Sequence, residues 1–350
     1  MVESDEVLCE RRGAAGVIVL NRPAALNALT LGMVRGMRRA LDAWAGDPAV
    51  TRIVLTGAGG KAFCAGGDVR RLHDLGRAGN FAEALTFWRE EYQLNTLIHR
   101  YPKPYLTLID GIVMGGGVGV SLHGRYRVAG ERYSFAMPEV SIGFFPDVGA
   151  TYALPRLPGE SGTYLALTGD RIRTADALAL GLATHAVPSA AMAPLQDALA
   201  GGEPVEAALA RFAQDPGPAP LAPHRPVIDA CFAAESVSGI LARLDEAAAA
   251  GSDFARTAAA TIRTKSPTSL CLALEQMRRG RSLSFEEAMK VEFRIVSRII
   301  EGHDFYEGVR AALIDRDGAP VWQPARLDTV RREDVERHFA DLGPGELALP

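Results

Sequence analysis

Cysteine is scarce in this chain: Cys9, Cys64, Cys231 and Cys271 are all that 350 residues contain. They form no C-x-x-C pair, and no histidine stands at metal-ligand spacing from them, so no metal is expected. A disulfide framework does not suit a chain of this size, and buried reduced thiols are the expectation. Long apolar runs are also missing; none approaches the ~20 residues of a membrane-spanning helix, and no membrane partner is expected. Basic excess is missing too. Lys and Arg number 38 against 42 Asp and Glu, a net charge of −4, where a nucleic-acid binder would need a basic stripe. The first six residues, MVESDE, are acidic where a targeting peptide would be basic, so a cytoplasmic protein is expected.

Several chemical signatures are absent as well. G-x-x-x-x-G-K-[ST] does not occur, and no G-x-G-x-x-G opens a helix with a suitable acidic residue downstream. G-x-S-x-G is missing, which removes the usual nucleophile elbow. Ser121 and His123 are two apart, a spacing that points them away from each other on a helix. His73 and His303 have no partner that the sequence identifies.

What is present reads as an α/β chain. Residues 7–12 and 17–21 are β-rich around Gly13-Ala14-Ala15-Gly16, a hairpin pattern. Thr30 stands as an N-cap before Leu31, Val34, Met37, Leu41 and Trp44, whose spacing marks one helix face. Strands are expected at residues 52–56, 105–109, 126–129 and 133–136, and a helix at 81–99 closed by Lys103-Pro104. Beyond Gly149 the pattern is helical apart from a short strand at 185–187. Strand–helix alternation with short connections argues for crossover units. Residues 215–226 (DPGPAPLAPHRP) hold five prolines and read as an extended connector. The chain divides on this pattern into a core, residues 1–188, and a mainly helical C-terminal region, residues 189–350.

Two glycine clusters each follow a strand: Phe63-Cys64-Ala65-Gly66-Gly67-Asp68 and Met114-Gly115-Gly116-Gly117-Val118-Gly119. Glycines there serve tight turns and close packing, or they let backbone N–H groups approach a substrate carbonyl as an oxyanion hole. Composition alone leaves both open. Glu139 lies in a stretch, residues 135–147, that is apolar apart from itself, Ser141 and Asp147. Desolvation there would raise its pKa toward neutrality, as an acid–base group needs; otherwise it is a strand-end Glu facing solvent. Asp147 stands where a helix could begin, as an N-cap or a site residue. Glu91 shares one stripe with Phe87, Leu94 and Ile98 while Glu90 points elsewhere, which fits a buried salt bridge or a substrate-facing acid.

These loops and carboxylates together resemble the crotonase superfamily, which includes enoyl-CoA hydratases, isomerases and their relatives. AFCAGGDV (residues 62–69) and GIVMGGGVG (residues 111–119) are similar to its paired oxyanion loops, and the likeness runs from about residue 7 to 187. The fold implied is a crotonase-like ββα spiral core with a C-terminal helical region. The N–H groups of Gly67 and Gly116 would bind a thioester oxygen. One departure matters: enoyl-CoA hydratases use two glutamates, one of them three residues after the middle glycine of the second loop. Here that position is Gly119, and Glu139 alone remains.

GFFPDVG (residues 143–149), WREEYQLN (residues 88–95) and the 302–324 segment GHDFYEGVRAALIDRDGAPVWQP resemble the branch of the superfamily that hydrolyses 3-hydroxyisobutyryl-CoA, a valine-breakdown intermediate. That likeness spans nearly the whole chain. It implies a thioester hydrolase with Glu139 as general base or nucleophile and Asp147 orienting Glu139 or gripping the substrate hydroxyl. Glu91, Gly116, Glu139 and Asp147 would contact substrate. No cofactor is implied, because CoA is part of substrate and product. Superfamily members are commonly trimers or dimers of trimers, so the resemblance implies a trimer-based homo-oligomer unless the long helical tail covers that surface or builds a different one. The alternatives are an enoyl-CoA hydratase or isomerase, a thioesterase for another acyl-CoA, or a non-catalytic acyl-CoA- or RNA-binding relative. The retained carboxylates and negative charge weigh against the last.

Overall fold

A computed structural model describes residues 5–350. Strands β1 (Val7–Arg12) and β2 (Ala15–Leu20) form an antiparallel hairpin, with Gly13 in the left-handed region at its turn. The second strand starts two residues before the expected one. Ala15 and Gly16 pair with Arg12 and Arg11, and the turn is shorter than the glycine spacing suggested.

From there the chain repeats one unit three times. Strands β3 (Arg52–Gly57), β5 (Tyr105–Ile109) and β7 (Tyr126–Ala129) add in parallel to a six-stranded sheet, order β1-β2-β3-β5-β7-β9, whose last member is β9 (His185–Ala186). After a short corner each is followed by a three-residue strand: β4 (Ala62–Cys64), β6 (Ile112–Met114) and β8 (Ser134–Ala136). These three pair in parallel as a second sheet. β4 and β6 escape a sequence reading because each is three residues long and runs straight into a glycine cluster that reads as a turn. The corner before β6 needs Gly111, at φ +129°, where a Cβ would stand 2.7 Å from the Lys61 carbonyl oxygen.

Helix α1 (Leu31–Ala45) is capped by Thr30, whose hydroxyl accepts from the Met33 N–H at 3.2 Å, and it buries Met33, Val34, Met37 and Leu41 as their spacing requires. Helix α2 (Val69–Arg77) was not expected. Asp68 caps it by accepting from the Arg71 N–H. Helix α3 (Phe81–His99) buries a broad face, because it lies between α1 and a C-terminal helix, Phe285–Ile299. Glu90 faces out and pairs with Arg35 at 2.6 Å.

Among the described residues no strand follows β9, and the remainder is helical. The proline-rich connector ends sooner than expected. A helix spans Arg225–Phe232 with Pro226 in its first turn, where a missing N–H costs nothing. Cys64 and Cys231 are buried as expected; Cys9 is exposed, since β1 edges the sheet and its face lies outward.

Candidate active site

The two glycine clusters meet. A Cβ on Gly115 would lie 3.2 Å from the Cα of Gly66, and one on Gly116 would lie 3.3 Å from the Gly66 carbonyl carbon. Both clusters sit at the C-terminal ends of paired strands β4 and β6, which is what aligns them. Gly116 opens a four-residue helix, α4 (Gly116–Gly119), so its N–H has no partner within that helix. Among the described residues no oxygen accepts from the N–H of Gly67 or of Gly116. The packing role falls to other glycines: a Cβ on Gly117 would come within 2.3 Å of the Cys64 carbonyl oxygen.

Around these N–H groups lies a cavity of about 230 Å³. Ala65, Gly67, Val69, Ser141, Ile142 and Leu313 stand at its partly exposed mouth, and Phe87, Trp88, Glu91, Phe144, Asp147 and Phe305 line its buried end. A larger surface groove of about 770 Å³, bounded by Glu160, Phe232, Arg278 and Glu336, lies elsewhere and holds none of the predicted residues. All five of those residues, Gly67, Glu91, Gly116, Glu139 and Asp147, line the smaller cavity.

Glu139 begins a 3-10 turn (Glu139–Ile142) after β8 and is 7% exposed, so it does not face solvent. A Cβ on Gly115 would lie 3.3 Å from its Oε1, while Oε2 is buried without a hydrogen-bond partner. Burial, then the negative charges of Asp147 and Glu292, hold its pKa well above the carboxylate range. Glu91 is no salt bridge. It projects from α3 beneath Gly116, whose Cβ would stand 2.6 Å from Glu91 Oε1, and that oxygen is unpartnered. Its pKa is also pushed well up, by burial and then by Asp147 and Glu292. Among the described residues no Lys, Arg or His lines the cavity to offset these carboxyls.

Asp147 is not a helix cap. The helix that follows, Ala150–Ala153, has no side-chain cap, and Asp147 Oδ2 instead accepts from the Tyr92 hydroxyl at 2.8 Å. Burial raises Asp147 to about 7, against the lowering effect of that bond. The loop carrying it is fixed at each residue. The Gln276 amide donates to the Pro146 carbonyl at 3.0 Å, His123 Nε2 to the Val148 carbonyl at 2.7 Å, and the Gly149 N–H to Glu292 Oε2 at 2.8 Å. Glu292 also accepts from the Thr151 N–H at 2.9 Å. Val148 sits at φ +54°, a strained state for a β-branched residue that only such surroundings maintain.

Glu292, Tyr92, Gln276 and His123 were not foreseen as site residues. The signal for Glu292 was present: it follows Phe285 by seven, follows Ala288 by four and precedes Ile295 by three, on the buried face of its helix. That is the same lone carboxylate in an apolar stripe that singled out Glu91. His123 is partly buried and desolvation lowers its pKa to about 3, which fits a neutral ring donating to Val148. Ser121 bonds back to Gly117, so the two form no nucleophilic pair. Among the described residues no group of three His, Cys, Asp or Glu side chains is placed to hold a metal ion.

At Gly119 the space for a side chain is already taken. A Cβ there would lie 2.7 Å from Val148 Cβ and 2.9 Å from Asn95 Nδ2. A second carboxylate has no room.

Known proteins resemble this chain along nearly its whole length. A family model described as enoyl-CoA hydratase/isomerase matches residues 15–339. The chain belongs to that family. Its relatives include the 3-hydroxyisobutyryl-CoA hydrolase, mitochondrial, of Xenopus tropicalis, 46% identical with 99% of this chain and 92% of that protein covered. The human protein of the same name is 45% identical, with 98% and 91% covered. Both names add a mitochondrial compartment that the cytoplasmic expectation does not include. Among solved family structures, a carnitinyl-CoA dehydratase from Mycobacterium thermoresistibile superposes with TM-score 0.93 at 44% identity, covering 99% of each chain. An enoyl-CoA hydratase from Rhodobacter sphaeroides 2.4.1 gives 0.92 at 41% identity, with 98% and 100% covered. The fold is therefore the crotonase spiral, as its three strand–corner–strand units indicate. No helix of the described residues is long and apolar enough to cross a membrane.

Proposed function

We propose that this family member is an acyl-CoA thioester hydrolase that converts 3-hydroxyisobutyryl-CoA to 3-hydroxyisobutyrate and CoA. One observation carries the choice of hydrolysis: Glu139 lies against Gly115 in the loop that carries the unpaired Gly116 amide, in the cavity that Gly67 also lines, and the position for a partner glutamate, Gly119, is closed. The names and near-complete coverage of the relatives support the substrate.

In the reaction the thioester oxygen takes up charge as the tetrahedral intermediate forms, and the two amides stabilise it. Each such donor is worth about 2.7–4 kcal/mol of barrier. Glu139, with its raised pKa, removes a proton from water as it attacks the carbonyl carbon, or attacks that carbon itself to give an anhydride that water opens. In either route a C–O bond forms, the C–S bond breaks and the sulfur leaves as CoA thiolate, which takes up the proton. Glu91 and Asp147, at the buried end of the cavity, hydrogen-bond the 3-hydroxyl. A substrate lacking that hydroxyl would leave Glu91 Oε1 without a partner and Asp147 with Tyr92 alone.

Hydration or dehydration is the second reading, favoured by what the two solved relatives are called. A panel separates them: free-thiol release from 3-hydroxyisobutyryl-CoA, its des-hydroxy analogue and longer acyl-CoAs, alongside hydration of crotonyl-CoA. Thiol release selective for the hydroxylated short acyl group is expected. Rapid crotonyl-CoA hydration without thiol release would replace hydrolysis by the second reading.

A further inference from the structure

The C-terminal segment, residues 302–324, is the part of the sequence least explained by the chemistry, and one of its side chains reaches the site. Phe305 is 1% exposed and lies at the buried end of the catalytic cavity. It also lines a surface groove of about 450 Å³, bounded by Gly143, Ser269, Arg298, His303 and His338. Among the described residues Phe305 is the one residue common to both linings. The partly exposed side of the lining, at Val69, Ser141 and Leu313, is where the CoA portion of a substrate can leave, which puts the acyl group against the buried part of the lining that includes Phe305.

We propose that Phe305 is the wall that sets acyl length. This rests on the acyl-CoA hydrolase reading above and adds the residue that limits its substrates to short chains. The wall is fixed. The Phe305 ring packs on Phe144 at 5.5 Å and on Trp88 at 6.2 Å, and those two stack on each other at 5.7 Å. Its backbone is locked: a Cβ on Gly143 would lie 2.0 Å from the Asp304 carbonyl oxygen, and one on Gly308 would lie 2.3 Å from the Ile142 carbonyl carbon. Asp304 holds the helix start by accepting from the Ser266 hydroxyl at 2.6 Å and from the Gln323 N–H at 2.7 Å. A longer chain therefore cannot displace the ring by moving its helix. Because Phe305 belongs to both linings, shortening its side chain enlarges the acyl end of the small cavity on the side of the larger groove.

The test measures kcat/KM for 3-hydroxyhexanoyl-CoA relative to 3-hydroxyisobutyryl-CoA, and the ratio of their dissociation constants, in wild type, Phe305→Ala and Phe305→Leu. The Ala variant should raise both ratios in favour of the longer substrate by roughly 10-fold or more, since a single methylene in such a pocket is worth that much, and Leu by less. Equal loss on both substrates in a variant with a wild-type circular dichroism spectrum overturns the wall. Should Phe305→Ala fail to fold, an unchanged ratio in Phe305→Leu overturns it equally. Wild type that hydrolyses neither thioester defeats the hydrolase reading instead, and the dissociation constants still decide the role of Phe305.

Discussion

The Tyr92 hydroxyl donates to Oδ2 of Asp147 at 2.8 Å, joining the middle of α3 to a loop 55 residues on. Both groups are buried, and this bond holds the Asp147 pKa lower than burial alone would leave it, at about 7. Tyr92→Phe should therefore move the acidic limb of the kcat/KM profile to higher pH. Losing one partner of a buried charged hydrogen bond also costs about 1–3 kcal/mol of stability. A pH–rate profile that superposes on wild type would remove Asp147 from the titrations that govern activity.

Glu292 pins the same loop from the C-terminal region, and burial followed by the charge of Asp147 raises it to about 8. Such carboxyls titrate near ~4 in an unfolded chain. The folded state thus retains protons the unfolded state has lost. The stability this contributes is complete below about pH 4 and disappears as pH rises through 7 and 8. His123, lowered to about 3, acts in the opposite sense, but only below about pH 6.5, where an unfolded His protonates. Between pH 6.5 and 8.5 the two carboxyls should cost the fold roughly 2–3 kcal/mol, seen as a falling Tm. Glu292→Gln should flatten that fall; an equally steep decline in the variant would contradict the assignment.

At the oxyanion loops two similar substitutions should differ. A Cβ on Gly116 meets Glu91 Oε1 at 2.6 Å and Leu29 Cδ1 at 3.0 Å, whereas one on Gly67 meets only the Phe87 ring, at 3.2 Å. Gly116→Ala should displace its N–H and lower kcat by about 10²–10³-fold, the loss measured for one oxyanion donor elsewhere. Gly67→Ala should lose less, because only the edge of the Phe87 ring has to give there, whereas at Gly116 the Glu91 carboxyl, Leu29 and the Gly66 backbone all crowd the new methyl. Steady-state kinetics on the two variants decides this, and the reverse order would move the oxyanion contact away from Gly116.

Gly119→Glu should not create a hydratase. The new Cβ would enter the space of Val148 and Asn95, and overpacking of this kind costs about 1–3 kcal/mol. The expected result is a lower Tm with crotonyl-CoA hydration no faster than in wild type. A gain in hydration would show that the loop can make room.

The sequence carried the site better than the fold. The glycine clusters, and the lone carboxylates Glu91 and Glu139 among apolar neighbours, are local patterns, and the structure brings all of them to one cavity. β4 and β6 were not legible because each merges into a glycine cluster that reads as a turn, and its order comes from pairing with strands distant in sequence. Asp147 read as a cap because nothing nearby reveals that Tyr92, on another helix, will meet it. Phe305 had no marker of its own, since an aromatic residue in a helix reads as core until the cavity beyond it is seen.

The most direct test of the account is the rate of thiol release from 3-hydroxyisobutyryl-CoA by Glu139→Gln. With Glu139 as the group that activates or delivers the oxygen, kcat should fall by about 10²–10⁴-fold while KM stays within a few-fold of wild type. A correctly folded Glu139→Gln protein that turns over near the wild-type rate would contradict it.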